Sequence, residues 1–252
     1  MVEPMKKIIL LFLVLFLLIS IVDSSKVEVN VPEVLKGKIS SVFFGRISDS
    51  GVVKVKLEFN NIGSIPFNSR VRMEIFDQGD MIYTLWSDEV TINPSERKVF
   101  DFSSYINKVG SFKTKIRIYY GGEVLDYDNV TFEVDDVKPH EDNFEINRLR
   151  VSGDYIKFDV ECKEDTDNVV IIFSDYPKSW IIEQKNIERL EKNNKSPIKI
   201  KYIPISPLDK EISIHVFTDD GNFYKTEKIT LKKEAMLNGI INNILDFFIG
   251  IF

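Results

Sequence analysis

The chain has 252 residues with a formal net charge of −6 at pH 7, and 44% of its residues are hydrophobic. This composition excludes an intrinsically disordered chain, and the acidic balance argues against a nucleic-acid-binding protein, because phosphate contacts need a basic surface. The single cysteine, Cys162, excludes an intramolecular disulfide framework, and its place in an alternating strand pattern predicts an unreactive core thiol.

The N-terminus has the pattern of a targeting segment. Lys6 and Lys7 precede an apolar run over residues 8–22, as in a signal peptide or a signal-anchor. As a helix this run would span about 22 Å, short of the roughly 30 Å of a bilayer core, and snorkelling lysines would supply the difference. Residues 22–24 are a weak cleavage site, so we expect an uncleaved single-pass anchor within residues 1–25 and an extracytoplasmic body, or a secreted protein if cleavage occurs. The residues expected in the membrane are Ile8, Leu11, Leu15, Leu18 and Ile21.

The residues that follow predict antiparallel β-structure. Apolar and charged side chains alternate over residues 53–59, and the same alternation recurs over residues 71–75 and 116–120. Such a period is typical of strands with one buried face and one face in solvent. Turn sequences separate these strands at Asn61-Ile62-Gly63, Gln78-Gly79-Asp80, Asn93-Pro94-Ser95 and Gly121-Gly122.

A second β unit repeats the first roughly one hundred residues later, about the length of one seven-stranded sandwich. Residues 152–160 echo the first alternating strand, and residues 212–231 echo the last hairpin. A polar segment with Pro139 lies between the two units. We therefore predict an all-β protein of two tandem antiparallel Ig-like β-sandwiches, with an N-terminal hydrophobic helix and a C-terminal amphipathic helix. The predicted boundaries are 26–135 for the first sandwich, 136–143 for the linker, 144–232 for the second sandwich and 233–252 for the C-terminal helix.

The segment from Trp180 to Leu190 allows two interpretations. Its apolar residues have a rough helical spacing, but a strand and loop that cross the sheet edge agree better with the surrounding β pattern. We favour the strand and loop.

The first unit resembles the CARDB-like, immunoglobulin-type repeats of archaeal cell-surface and S-layer-associated proteins. Residues 55–66 are similar to the family's strand and N-x-G turn, and residues 90–99 are similar to its P-G-E turn, with Ser95 where glycine is usual. Residues 176–180 and 193–198 of the second unit look like related modules. The resemblance implies a sandwich used for adhesion, spacing or protein contact, and it carries no catalytic residues over to this chain.

The sequence offers little for catalysis. A Ser-His-Asp or Cys-His arrangement would have to use His140, in the linker, or His215, which we place on an outward-facing strand position. We also find no phosphate-binding loop and no metal-ligand spacing, and we predict no catalytic residue, no cofactor and no metal site. Calcium at the acidic residues near the junction is the alternative, but solvated turns explain them better. The acidic residues near the junction are Asp126, Asp128, Asp135, Asp136, Glu141 and Asp142. A separate calcium candidate is Asp219-Asp220-Gly221-Asn222, which resembles a fragment of an oxygen-rich loop.

Two sequons lie in the predicted body. Asn129-Val130-Thr131 and Asn194-Lys195-Ser196 have the acceptor pattern for N-glycosylation. Pro197 directly follows the second sequon and makes it the poorer acceptor, so Asn129 is our candidate site.

The C-terminal segment changes composition abruptly at Ala235. Over residues 235–252 most side chains are apolar, and Asn238, Asn242 and Asp246 recur every four residues as one narrow polar stripe on a helix. Because water would not tolerate so apolar an isolated helix, we expect it to lie in the membrane interface, to insert among other helices through its polar stripe, or to dock on a partner. The residues expected to make this contact are Asn238, Asn242, Asp246, Phe247 and Phe248. The alternative is a helix that covers its own sandwich.

These patterns together predict a membrane-anchored extracytoplasmic protein with a structural, adhesion or protein-interaction role at the cell surface. Its expected partners are the membrane and a protein or surface-layer component, with neither nucleic acid nor a small-molecule substrate. The alternative is an accessory subunit of a membrane complex that docks through its C-terminal helix. A catalytic exoprotein is a remote third hypothesis.

Overall fold

The computed structural model describes residues 32–46, 50–137, 140–152, 154–204 and 209–231. In these ranges sixteen strands form four antiparallel sheets, which pack as two β-sandwiches. The predicted all-β class is therefore confirmed for this part of the chain. The two predicted terminal helices lie outside the described residues. From Glu33 onward, the described residues belong to one compact unit.

Sandwich 1 contains the first eight strands. One sheet has the order β1-β2-β6, and the facing sheet has the order β4-β3-β7-β8, with β5 paired to β3. The strands are β1 (Gly37–Arg46), β2 (Val52–Asn61), β3 (Phe67–Asp77), β4 (Asp80–Trp86), β5 (Val90–Ile92), β6 (Arg97–Tyr105), β7 (Gly110–Tyr120) and β8 (Glu123–Val134).

Sandwich 2 contains the other eight strands. Its sheets have the orders β12-β14-β10-β9 and β13-β11-β15-β16. The strands are β9 (Phe144–Ser152), β10 (Tyr155–Cys162), β11 (Thr166–Ser174), β12 (Ile181–Ile182), β13 (Lys185–Leu190), β14 (Ser196–Ile203), β15 (Lys210–Thr218) and β16 (Tyr224–Leu231).

The alternating sequence pattern corresponds to alternating burial. In β2 the side chains of Val55, Leu57 and Phe59 are fully buried, whereas Lys56 is exposed and Glu58 is partly exposed. Cys162, at the end of β10, is buried without a disulfide, and burial raises the pKa of its thiol, as expected for an unreactive core residue. Burial of these faces supplies the main favourable free energy of each sandwich.

The segment from Trp180 to Leu190 switches sheets. β12 pairs with β14 in one sheet, and β13 pairs with β11 in the facing sheet, so the chain crosses the sandwich edge between them. The predicted strand and loop are confirmed, and the helical alternative is wrong.

Tight turns connect the strands where the sequence places glycine. Gly121 and Gly122 between β7 and β8 have φ values of 52° and 90°, as a type I′ hairpin turn requires. Ser95, in the turn before β6, has φ 63°, a left-handed conformation that glycine adopts most readily.

Asn61, at the start of a turn, connects several loops through its side chain. Its side-chain amide donates to the carbonyl oxygens of Ile65 and Ile92, and its Oδ1 accepts from the backbone NH of Gly63. Gly63 lies so close to the segment before β1 that an added Cβ would come within 2.1 Å of the Val34 carbonyl oxygen.

The two sandwiches share part of their cores. Val170 and Ile172 of β11 and Phe217 of β15 pack into the core of sandwich 1, while Trp86 of β4 packs into the core of sandwich 2. Sandwich 1 strands lose their alternation where sandwich 2 covers them, as at the end of β6, where four consecutive residues are buried. The covered outer faces make the pair a single packed body.

Candidate functional site: the cleft between the sandwiches

The outer face of β3 carries the polar side chains of the candidate site. Arg70, Arg72 and Glu74 alternate with core residues, as expected for an outer face, but Arg70 and Glu74 are buried because sandwich 2 lies over them. Strand register places Trp86 of β4 opposite Arg72 and Tyr119 of β7 opposite Arg70. These side chains therefore share one face of the sheet.

The aromatic and guanidinium groups of this face are stacked. The Arg72 guanidinium lies 5.4 Å from the centroid of the Trp86 ring, and the Tyr119 ring lies 5.5 Å from it. Such cation–π and ring contacts fix the planar side chains in position.

Hydrogen bonds from sandwich 2 complete the contact. Trp86 Nε1 donates to the Trp180 carbonyl oxygen at 3.1 Å, and the Gln184 backbone NH donates to the Trp86 carbonyl oxygen at 3.0 Å. Arg70 Nη2 donates to Glu183 Oε1 at 2.9 Å, and the Tyr176 hydroxyl donates to the Thr84 carbonyl oxygen. The two sandwiches are therefore joined by directional contacts as well as by apolar packing.

Buried charge perturbs this ion pair. Burial raises the pKa of the Glu183 carboxyl above its ordinary value, and Arg70 opposes that shift by stabilising the carboxylate. The ion pair holds a charge that burial alone would disfavour. The Glu89 carboxylate lies 3.9 Å from Arg70 Nη2, and its side chain is about half exposed, at 52%.

Beside this contact the two sandwiches enclose an open cleft of about 580 Å³. One rim is the Gly121–Gly122 turn, and the opposite rim is the turn at Lys178 and Ser179. The second turn is held by buried residues on both sides, Tyr176 and Trp180, so its two exposed residues stand at a fixed place. The floor is formed by Asn68, Arg70, Arg72, Trp86, Tyr119 and Tyr120.

A second polar cluster lies elsewhere in the inter-sandwich contact, around His215 of β15. The prediction of an outward-facing His215 is correct for its strand phase, but the expected exposure is wrong, because sandwich 1 covers that face and leaves 8% of the residue exposed. Its Nε2 is 2.8 Å from Ser174 Oγ, and its Nδ1 is 2.7 Å from the Tyr224 hydroxyl. Burial lowers the pKa of His215 to about 4, so the ring is neutral at pH 7.

The geometry of this cluster differs from that of a catalytic triad. Asp175 accepts hydrogen bonds from Ser174 at 2.9 Å and from Ser213 at 2.6 Å, whereas a triad carboxylate would contact His215 Nδ1. Burial favours a higher pKa for Asp175, but the two hydroxyl donors hold it below its ordinary value. The cluster acts as a satisfied polar patch within an apolar contact.

His140, the other histidine, stands at the same contact. Its Nδ1 lies 2.9 Å from the Tyr105 hydroxyl, and Tyr105 stacks on Tyr224 with the ring centroids 4.4 Å apart. The two histidines therefore contact the same tyrosine, since both rings also lie against Tyr224.

Three of the acidic residues considered for calcium form ion pairs with basic side chains. Asp126 accepts from Arg117 at 2.9 Å, Asp142 pairs with Lys225 at 3.1 Å, and Asp219 pairs with Lys54 at 2.6 Å. Among the described residues, no group of three or more His, Cys, Asp or Glu side chains is arranged to hold a metal ion.

The other predicted site residues are distributed as follows. Asn129 lies in β8 between the residues paired with Thr114 and Lys115, where the register shifts in a β-bulge of an edge strand. The expected membrane residues Ile8, Leu11, Leu15, Leu18 and Ile21, and the expected contact residues Asn238, Asn242, Asp246, Phe247 and Phe248, lie outside the described residues. Within the described ranges, no helix has the length and apolar character needed to cross a membrane.

Sequence patterns did not predict which residues form the cleft and the shared core. The signal for the shared core is the unbroken apolar run Val169–Phe173, which is typical of a strand buried on both faces. The polar cleft residues gave no such signal, because charged residues such as Arg70 and Glu183 are also common on strand faces that lie in solvent.

No protein-family model matches the sequence, and no curated protein matches it. A CARDB domain from Pyrococcus furiosus, solved in complex with di-metal ions, is 18% identical with a TM-score of 0.31, and the alignment covers 46% of this chain and 99% of that domain.

Two enzyme structures also align. Red sea bream transglutaminase is 9% identical with a TM-score of 0.30, covering 78% of this chain and 31% of the enzyme. A β-glucosidase from Erythrobacter marinus is 13% identical with a TM-score of 0.28, covering 40% of this chain and 15% of the enzyme. This chain spans less than a third of either enzyme.

Proposed function

We propose that this chain is a membrane-anchored extracytoplasmic protein whose two Ig-like sandwiches act as one rigid structural or adhesion unit at the cell surface. The observation that carries the proposal is the shared core, in which Ile172 and Phe217 pack into sandwich 1 and Trp86 packs into sandwich 2. A contact with an apolar centre and satisfied hydrogen bonds resists relative motion of two domains. A rigid body suits a spacer or a protein-contact module.

The extracytoplasmic location rests on the sequence. Lys6 and Lys7 before an apolar run at residues 8–22 favour export of everything that follows. The CARDB-like character of residues 55–66 and 90–99 agrees with a surface role.

Protease accessibility tests the location. An epitope inserted in the Gly79 turn provides the probe, because an atom added at Gly79 meets nothing within 4 Å. Protease added to intact cells should remove the epitope signal while a cytoplasmic protein survives. If the epitope is lost only after lysis, the chain is not exported and the proposal fails.

Deletion of residues 235–252 separates the surface role from the alternative of an accessory subunit. The apolar character of this segment favours a contact with the membrane or with another protein. A stoichiometric partner that co-purifies with the full chain and is lost with the segment would favour the subunit. Unchanged membrane anchoring together with unchanged partners would remove any role for the segment.

An exported location would also make Asn129 an acceptor for N-glycosylation. The sequon lies at a bulge of β8, which is an edge strand of its sheet. Protein from its native membrane should run heavier than the Asn129→Gln variant. Equal masses by mass spectrometry would exclude the modification.

A further inference from the structure

The cleft beside Trp86 has the size and the fixed rims of a small-molecule binding site. Its volume of about 580 Å³ lies in the range of roughly 300–1,000 Å³ common to small-molecule sites. The Gly121–Gly122 turn and the Lys178–Ser179 turn, one from each sandwich, form its rims. Because the shared core holds the sandwiches together, both rims are fixed before any ligand arrives, which lowers the entropy cost of binding.

The charges of the cleft favour a neutral ligand. The basic residues lining it are Arg70, Arg72 and Lys178, and the acidic residues lining it are Glu89 and Glu123. Both arginines already have carboxylate partners, since Arg70 pairs with Glu183 and Arg72 pairs with Glu74. An anion would therefore meet no surplus of positive charge.

The polar groups of the cleft include both donors and acceptors. Lys178 offers an exposed donor at the rim, and within the described residues the Nε atoms of Arg70 and Arg72 are buried without a hydrogen-bond acceptor. Glu89 offers a half-exposed carboxylate, and the Asn68 amide is oriented by the Thr91 hydroxyl, which donates to its Oδ1 at 2.8 Å. Planar groups of this kind bind neighbouring hydroxyls through two atoms at once.

Aromatic side chains supply the apolar part of the surface. The Tyr119 ring lines the cleft beside Trp86, whose ring is held in place by its hydrogen bond to Trp180, whereas the Tyr120 ring packs on Phe59 and Phe67 in the core of sandwich 1. An aromatic face with donors and acceptors around it complements a molecule that has an apolar C–H face and hydroxyl groups along its edge. A sugar ring has this distribution of groups.

We propose that the cleft binds a neutral oligosaccharide, with one ring against the Tyr119 side of the floor and its hydroxyls bound by Glu89, Asn68 and Lys178. Binding involves no covalent step. The proposal does not depend on where in the cell the chain lies, so it can fail while the surface role stands, and the reverse also holds.

Intrinsic fluorescence tests binding directly. The chain has two tryptophans, and Trp86 lines the cleft, so ligand contact should change the emission. The full chain is purified in a detergent without a sugar head group and titrated with maltose, cellobiose, mannobiose and N,N′-diacetylchitobiose, with digalacturonic acid as the anionic comparison. At least one neutral disaccharide should give a saturable change with a Kd of about 1 mM.

Matched variants locate the site. Glu89→Gln and Lys178→Met change exposed side chains at the rim, and each should weaken binding about tenfold through loss of a charged hydrogen bond. Glu145→Gln, an exposed position on β9, should leave the Kd unchanged, and circular dichroism checks the fold of all three.

Three results would overturn the proposal. The first is the absence of a saturable response to every neutral disaccharide up to about 20 mM, well above the expected Kd. The second is tighter binding of digalacturonic acid than of any neutral sugar, which would assign the cleft to anions. The third is saturable binding that neither rim variant weakens, which would place the sugar elsewhere.

Discussion

Trp86 Nε1, on the last residue of β4, donates a hydrogen bond to the carbonyl oxygen of Trp180 across the contact between the sandwiches, at 3.1 Å. The same Trp86 packs in the core of sandwich 2 and forms part of the cleft floor. This residue thus links the joint between the sandwiches to the proposed binding site. The stability of the joint and the shape of the cleft should therefore change together.

Replacing Trp86 with phenylalanine should destabilise the protein by about 2 kcal/mol, because the variant loses one hydrogen bond and part of a buried ring. Urea denaturation followed by circular dichroism measures the change. Tyr127→Phe, at an exposed position of β8, is the control and should change stability by less than about 0.5 kcal/mol. An equal effect of both variants would mean that the Trp86 contact contributes little.

Replacing Arg70 with methionine should destabilise the protein by about 3 kcal/mol, because the partly buried Glu183 carboxylate loses its charged partner. The double variant Arg70→Met/Glu183→Met should recover much of this loss, since it removes both charges. Free energies of unfolding for the wild type, both single variants and the double variant give the coupling energy. A double variant that is as unstable as the sum of the two single variants would contradict a direct ion pair.

Stability should fall as the pH drops from about 6.5 to 4, in part because of His215. Its pKa is about 4 in the folded protein and near 6.5 when unfolded, so the unfolded chain binds the extra proton in this window and unfolding becomes easier. The contribution is on the order of 3 kcal/mol and is present in full above the unfolded pKa.

The measurement compares urea unfolding of the wild type and His215→Gln between pH 7.5 and 4. Each protein gives a curve of unfolding free energy against pH. The difference between the two curves is the contribution of His215, because the carboxylates titrate in both proteins. The His140→Gln variant keeps His215 and should retain the wild-type pH dependence that His215 contributes. A wild-type curve parallel to that of His215→Gln would show that His215 is not buried in the neutral form.

Replacing Gly63 with alanine should destabilise the protein by about 2 kcal/mol or more, because the added Cβ would come within 2.1 Å of the Val34 carbonyl oxygen. Gly79→Ala is the matched comparison, where the added atom meets nothing and only the positive φ costs about 1 kcal/mol. Thermal unfolding of the two variants measures the difference. A larger loss for Gly79→Ala would contradict the close approach at Gly63.

The sequence predicted the local structure well, because its signals are local. Alternation in residues 53–59 corresponds to the buried and exposed faces of β2, and the glycines at 121 and 122 form the predicted turn. These features depend on neighbouring residues, whose geometry a short pattern records.

Such short patterns did not predict the contact between the two sandwiches. A strand shows which residues share a face, but it does not show what covers that face, and so His215 was predicted to be exposed. Val170 and Ile172 on the outer face of β11 were the available clue, since two apolar outer residues are costly in water. The Arg70–Glu183 pair left no such clue, because its members lie 113 residues apart.

Hydrogen exchange in increasing urea tests most directly whether the two sandwiches form one body through their shared core. Amides of β2 in sandwich 1 and of β14 in sandwich 2 should lose protection in the same cooperative transition. Ile172→Ala shortens a shared-core side chain. It should lower the free energy of opening measured for β2 and for β14 by the same amount, about 2–5 kcal/mol. Two separate transitions, or an Ile172→Ala effect confined to sandwich 2, would contradict the claim.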